Sequence, residues 1–199
     1  MQNPLSKIII ASGNKGKLRE FEKLFAGRNI ELIPQTALNV SSVAETGLSF
    51  VENAIIKARH ASMQTDMPSL ADDSGIEVDA LNGAPGIYSA RYAGVDADDA
   101  RNNQKLLDAL VGVPDQERSA RFQCVIVFLR NASDPMPLIF QGTWEGHIAH
   151  KASGSKGFGY DSVFWLKEYQ CTSAELDPEE KNRISHRGQA IRRFYENFF

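Results

Sequence analysis

The sequence is poor in cysteine, in long apolar runs and in net charge, and each shortage excludes a class of protein. Cys124 and Cys171 are the two cysteines in 199 residues. They lie far apart and without metal-type spacing, which excludes a disulfide scaffold and a zinc-finger-like site and suits a reducing compartment. Cys124 sits in an apolar run and reads as a small core residue. The apolar run near the start, Ile8-Ile9-Ile10-Ala11, is too short for a signal-peptide core or a membrane span. A cytoplasmic, membrane-free protein is therefore expected. With 22 basic and 25 acidic residues the formal charge is −3, so no global basic field exists to recruit a nucleic-acid duplex. A polyanionic ligand would need a local basic cluster.

What is present is a globular balance, 42% hydrophobic and 24% charged, with helix and strand patterns mixed along the chain. Lys7 to Ala11 reads as a buried strand that runs into Ser12-Gly13-Asn14-Lys15-Gly16-Lys17. Leu18, Phe21, Leu24 and Phe25 then recur at helical spacing, Gly27 is a stop, and Ile30 to Ile33 is a second strand. This opening is a βαβ unit with parallel strands. Ser49 and Glu52 form a capping-box pattern at the start of a helix bearing Phe50, Ala54, Ile55 and Ala58. Ser69-Leu70-Ala71 reads as a strand end before Asp72-Asp73-Ser74-Gly75. Ile76 to Leu81 reads as a further strand ending at the Asn82-Gly83 turn.

Asp98 caps a third helix that Gly112 ends. Arg121 to Arg130 and Leu138 to Trp144 suggest an antiparallel hairpin, and Ser162 to Leu166 another strand. Pro178 opens a short helix, and Ser185 to Phe198 reads as an amphipathic helix through Ile191, Phe194, Tyr195 and Phe198. No linker or low-complexity stretch interrupts the pattern. The expected architecture is one α/β domain over residues 1–199, with a mixed, elongated central sheet flanked by helices and two lobes around an active-site cleft.

Four segments are candidates for chemistry. At Ser12 to Lys17 a strand enters a helix, where backbone N–H groups attract anions. Gly13 and Gly16 let a phosphate approach, and Lys15 and Lys17 add charge. The spacing is not the Walker A pattern, and an ordinary βα turn with solvated lysines explains the same residues equally well. Asp72 and Asp73 follow an apolar strand, a common place for α/β sites. Mg²⁺ is typically held by one or two carboxylates plus phosphates and water, and Glu45 is a third acid within the pattern. An Asx-turn explains one aspartate there more readily than two. Gly157-Phe158-Gly159-Tyr160-Asp161 could frame a flat base, although a tight turn with core-facing aromatics is the plainer reading. Lys181, His186 and Arg187 could meet a polyanion or a base edge, or form a solvated face.

Taken together these stretches closely resemble the inosine/xanthosine triphosphate pyrophosphatases. The resemblance rests on Ala11 to Lys17, Glu45-Thr46-Gly47, Glu52-Asn53-Ala54 with Lys57-Ala58, Ala71 to Gly75, Gly83 to Tyr92, Gly157 to Asp161 and Ser185 to Gly188. They occur in the family's order and span nearly the whole chain. The resemblance implies hydrolysis of ITP, dITP and XTP between the α and β phosphates, giving a nucleoside monophosphate and pyrophosphate. Such an activity removes deaminated purines from the nucleotide pool. It also implies Mg²⁺ dependence, a small-molecule nucleoside triphosphate as the partner rather than nucleic acid, and a homodimer.

Carried over by position, Ser12, Gly13, Asn14, Lys15, Gly16 and Lys17 would bind phosphate. Glu45 and Asp73 would serve the metal, with Asp73 as proton acceptor for the attacking water and Asp72 assisting. Lys57, Ser74 and Lys181 would contact the substrate. Phe158, Gly159, Tyr160 and Asp161 would frame the base, and His186 and Arg187 would read its edge. Two positions depart from the family's usual residues: Ser12 stands for threonine, which keeps the hydroxyl, and Ser162 stands for proline, which loosens the backbone after the base loop.

Overall fold

The computed structural model describes residues 7–198, the side chain of Phe198 excepted. Phe198, expected on the apolar face of the last helix, thus has a side chain outside the described residues. The elements run β1 (Lys7–Ile10), α1 (Lys15–Phe25), β2 (Glu31–Pro34), α2 (Phe50–Thr65), β3 (Ser69–Val78), α3 (Asp99–Ala109), β4 (Ser119–Leu129), β5 (Leu138–Ile148), β6 (Phe164–Leu166), β7 (Cys171–Thr172), α4 (Pro178–Ile184) and α5 (His186–Phe198). Short 3₁₀ turns fill several of the connections. Among the described residues no helix is long and apolar enough to cross a membrane.

The strands form one mixed seven-stranded sheet in the order β2-β1-β3-β4-β5-β6-β7. β1 pairs in parallel with both β2 and β3, while β5, β6 and β7 pair antiparallel. The chain leaves β1 through α1 to β2 on one side, then returns to place β3 on the other. That reversal makes the carboxyl end of β1 a topological switch point, where open α/β sheets leave room for ligands.

The chain divides into two compact units. One takes the residues up to Asp73, Val125–Gln141 and Ala190 onward; the other takes Ser74–Cys124 and Gly142–Gln189. In the first unit, successive side chains on each strand point to opposite faces. Ile9, Ala11, Ala71, Val125, Val127 and Leu129 pack with Ala54, Ala58 and Ala61 of α2. Aromatic rings pack separately: Phe194 of α5 has its ring centroid 6.0 Å from Phe25, 5.8 Å from Phe128 and 5.6 Å from Phe140. In the second unit Leu106, Leu110, Phe122, Trp144, Val163 and Phe164 share a separate core.

Local signals set most helix ends. Asn14 caps α1, Ser49 caps α2, Asp98 caps α3, and Asp177 caps α4 with proline in its first turn. The Glu52 carboxylate reaches back to the Leu48 N–H at 2.8 Å and accepts the Ser49 hydroxyl at 2.8 Å, so the capping box forms with its return bond shifted by one residue.

Two strand expectations change. β3 does not stop before the acids; it runs unbroken through Asp72 and Asp73. Adjacent aspartates read as a strand end because buried charges need partners that lie elsewhere in the chain. β6 begins at Phe164 rather than Ser162, because the Val163 and Phe164 N–H groups both donate to the Tyr160 carbonyl and hold that stretch in a turn.

Phe194→Ala should destabilise the protein by about 3–5 kcal/mol, the usual range for deleting a buried aromatic ring. A urea-unfolding midpoint within error of the wild type would show that the α5 rings do not hold the first unit together.

Candidate active site

Within the first unit the site is built on β3 and on the helices that pack against it. Asp72 and Asp73 are consecutive strand residues, so they face opposite sides of the sheet. Each meets a lysine from a different helix. Lys17 of α1 pairs with Asp72, and Lys57 of α2 lies 2.7 Å from Asp73 Oδ1 and 3.0 Å from Glu45 Oε1. All the pairs are largely shielded from water, and the Asp72 side chain is fully buried. Buried charges in this arrangement persist because each has an opposite charge in contact.

The electrostatics follow from burial and pairing. Burial raises the Asp73 pKa above its ordinary value, and Lys57 and Lys17 only partly offset it. Burial works against the Lys57 ammonium too, but Asp73 and Glu45 outweigh it and leave the lysine more basic than usual. The site thus holds a firmly charged lysine beside a carboxylate that is more basic than an ordinary aspartate.

The turn after β1 is closed by its own asparagine. Asn14 Oδ1 accepts from the Gly16 N–H at 2.8 Å and the Lys17 N–H at 3.1 Å, and the Asn14 N–H lies 3.2 Å from the Ser12 hydroxyl oxygen. Two amides expected to be open to phosphate are therefore satisfied by the Asn14 cap. Lys15 is exposed and Lys17 points to the acids, so the two lysines of the motif are not equivalent.

The loop that follows Glu45 is held by the start of α2. The Gly47 N–H donates to Asn53 Oδ1 at 2.8 Å, and a Cβ on Gly47 would sit 2.5 Å from the Glu52 Cβ. Glycine is needed at that position because the loop lies directly against the helix. Glu45 and Asp73 present oxygens to one ammonium, which is the hard-oxygen donor chemistry that suits Mg²⁺. Among the described residues no group of three His, Cys, Asp or Glu side chains is arranged to hold a metal. Two carboxylates converging on one cation still fit an ion whose other ligands are phosphate oxygens and water.

The second unit carries the other candidates. Arg187 is buried and donates from Nη2 to the Ser74 hydroxyl at 2.9 Å. His186, also buried, stacks on Phe122 with ring centroids 4.7 Å apart and planes 9° from parallel. Asp161 organises the glycine loop: it accepts from the Phe158 N–H at 2.9 Å, the Ser173 hydroxyl at 2.7 Å and the Lys181 ammonium at 2.5 Å. A Cβ on Gly157, whose φ is +80°, would collide with the Asp161 carboxylate. The Phe158 ring lies 5.2 Å from Lys181 Nζ and 5.8 Å from Arg187 Cζ, within cation–π range.

The loop's two aromatics therefore separate in role. Phe158 is half-buried beside the cations. Tyr160 is buried in the core, and its hydroxyl donates to the Ser89 carbonyl at 2.8 Å. Sequence reasoning did not single out Asp99, Asn102, Asn103 or Ser89 as parts of this arrangement. Two adjacent asparagines inside α3 were the available signal, since asparagine is a poor helix-interior residue.

Among α/β proteins this sheet order and these paired acids and lysines define a protein with a polar site at a βα switch point. The family model described as the Ham1 family matches residues 8–197, and the chain belongs to that family. The dITP/XTP pyrophosphatase of Photorhabdus laumondii is 54% identical over 188 residues, covering 94% of this chain and 95% of that one. The dITP/XTP pyrophosphatase of Thioalkalivibrio sulfidiphilus is 58% identical over 186 residues, covering 94% and 95%. Among solved structures, a HAM1 protein from Coxiella burnetii superposes with a TM-score of 0.88 at 53% identity, covering 96% of each chain.

Because folding raises the Asp73 pKa, the folded chain holds that proton more tightly than the unfolded chain does. The stabilising effect of this group is then greatest at low pH and is lost as pH rises through the raised pKa. In metal-free protein at neutral pH, Asp73→Asn should melt at or above the wild-type temperature. A clear fall in Tm would mean that pairing with Lys57 outweighs the burial of the charge.

Proposed function

We propose that this protein is a Mg²⁺-dependent pyrophosphatase acting on the triphosphates of deaminated purines, namely ITP, dITP and XTP. It releases the nucleoside monophosphate and pyrophosphate. The observation that carries the reading is the set of buried acid–lysine pairs along β3, Lys17 with Asp72 and Lys57 with Asp73 and Glu45. Relatives more than half identical over nearly their whole length and named dITP/XTP pyrophosphatase supply the substrate class. A homodimer in a reducing, cytoplasmic compartment completes the proposal; Cys124 and Cys171 are not joined in a disulfide.

In the ligand-free protein the lysines are neutralised by the acids. A triphosphate competes for the same lysines, and Lys17 and Lys57 turn part of their charge to its oxygens. Glu45 and Asp73 would hold Mg²⁺, which would neutralise phosphate charge and polarise the reacting phosphoryl group. Asp73 would orient the attacking water and take its proton. The water oxygen bonds to phosphorus as the bridging P–O bond at the α–β junction breaks, and pyrophosphate leaves with that bond's electrons. Lys17, Lys57 and the residues of the β1–α1 turn stabilise the charge on the leaving group.

The base is taken by the Phe158 to Asp161 loop with Lys181, His186 and Arg187. Inosine and xanthosine carry a 6-keto acceptor that a guanidinium can serve. An adenine 6-amino group would leave such a donor without an acceptor, which discriminates strongly in a buried site. The stack of His186 on Phe122 holds the imidazole plane in place.

The decisive assay is pyrophosphate release from ITP, dITP and XTP against ATP, GTP and UTP, with and without Mg²⁺. Preference for the first three and dependence on Mg²⁺ are expected; equal rates on ATP and ITP would refute the base assignment. Asp73→Asn should lower kcat by about 10²- to 10⁴-fold, as for loss of a general base. Lys17→Ala should lower kcat/KM by roughly 10- to 100-fold, in line with a lost charge-assisted phosphate contact, and should also lower the melting temperature because it leaves the buried Asp72 without its lysine. An unchanged kcat/KM would remove Lys17 from the phosphate site.

A further inference from the structure

The glycine loop that carries Phe158 is gripped from outside by a helix to which the proposed reaction assigns no part. The Gly159 N–H donates to Asp99 Oδ2 at 2.6 Å. The Gly159 carbonyl accepts from Asn103 Nδ2 at 2.9 Å, and the same amide nitrogen reaches the Ser162 hydroxyl at 3.3 Å. Asp99 and Asn103 are four residues apart on α3, so they stand one turn apart on one face of the helix. One helix face thereby holds both the N–H and the C=O of a single residue. Gly159 has φ +62°, and a Cβ there would meet nothing within 4 Å. The glycine is set by its left-handed backbone rather than by lack of space.

Packing alone does not account for these side chains. Asn103 is buried in a helix interior, where asparagine is unfavourable, and its Oδ1 is buried with no hydrogen-bond partner among the described residues. A residue chosen for stability would be apolar. A helix residue that breaks the local rule in order to hold a distant loop points to a demand made by that loop. The neighbouring Asn102 grips the 90–93 segment, accepting from the Ala93 N–H at 2.8 Å and donating to the Ala90 carbonyl at 3.2 Å. Ser89, just before that segment, takes the Tyr160 hydroxyl. The loop is thus fixed at Gly159 directly and at Tyr160 through Ser89.

We infer that Asp99 and Asn103 are positioning residues for base selection: by clasping Gly159 they set where Phe158 stands relative to Lys181 and Arg187, and so the width of the slot that admits a purine. This rests on the pyrophosphatase reading above. The clasp acts on the base and not on the phosphate chemistry, so its loss should appear in KM and in base preference rather than in kcat.

The test is steady-state kinetics on ITP and GTP for the wild type, Asp99→Ala, Asp99→Asn and Asn103→Ala, with thermal melts for each. Asp99 is exposed, so its alanine variant should melt close to the wild type. Asp99→Ala should raise KM for ITP about three- to tenfold and lower the ITP-over-GTP ratio of kcat/KM, with kcat within about twofold, the pattern of lost ground-state positioning. Asp99→Asn, which keeps an acceptor for the Gly159 N–H, should recover most of the loss. Asn103→Ala should shift the same quantities in the same direction; if it fails to fold, the Asp99 pair decides. Unchanged KM and base ratio in Asp99→Ala would overturn the inference, as would a fall in kcat alone. If the wild type prefers ITP and the variants keep that preference, this inference alone falls. If the wild type releases no pyrophosphate from ITP, the functional reading falls and takes this one with it.

Discussion

Two aspartates stand side by side in the interior of a strand, and the first unit sets a lysine against each. A carboxylate out of water is tolerated only with an opposite charge in contact. Because Asp72 and Asp73 face opposite sides of β3, no single helix can serve both. α1 supplies Lys17 to one and α2 supplies Lys57 to the other. The crossover from β1 through α1, the close seating of α2 through Ala54, Ala58 and Ala61, and the loop that brings Glu45 to Lys57 put those partners in place. The same pairs leave a charged, partly desolvated group of residues along β3.

The second unit solves a different problem, which is how to hold a glycine-rich loop in one shape. Asp161 gathers the Phe158 N–H, the Ser173 hydroxyl and the Lys181 ammonium. α3 grips Gly159 from the other side. Each bond is modest, and together they replace the restraint that side-chain packing cannot give to glycine. Where the resembled family usually has proline after Asp161, this chain has Ser162, and its hydroxyl is tied to Asn103. The backbone at that point is restrained by a hydrogen bond instead of a ring.

Much of this was legible in the chain itself. The βαβ opening, the caps at Ser49, Asp98 and Asp177, and the hairpin strands follow from local patterns, and they stand within a residue or a few of their expected ends. From Ser69 to Leu81 the local pattern misleads, because the acids read as a strand end. Their partners are 16 residues away for Lys57 and Asp73, and farther for Lys17, beyond the reach of any local pattern. Gly16 and Lys17 read as open phosphate donors because asparagine serves both in turns and as a helix cap.

The sequence by itself determined the element order, the candidate residues and the family resemblance, because caps, periodicity and ordered motifs are local properties of the chain. Only the tertiary structure decided which candidates work together. It paired each acid with its own lysine and split Phe158 from Tyr160, leaving the first beside the cations and putting the second in the core. It also brought Asp99 and Asn103 to a loop about sixty residues away. Such pairings depend on which strand face and which helix turn each residue occupies in space. Spacing along the chain carries no record of a contact made across it.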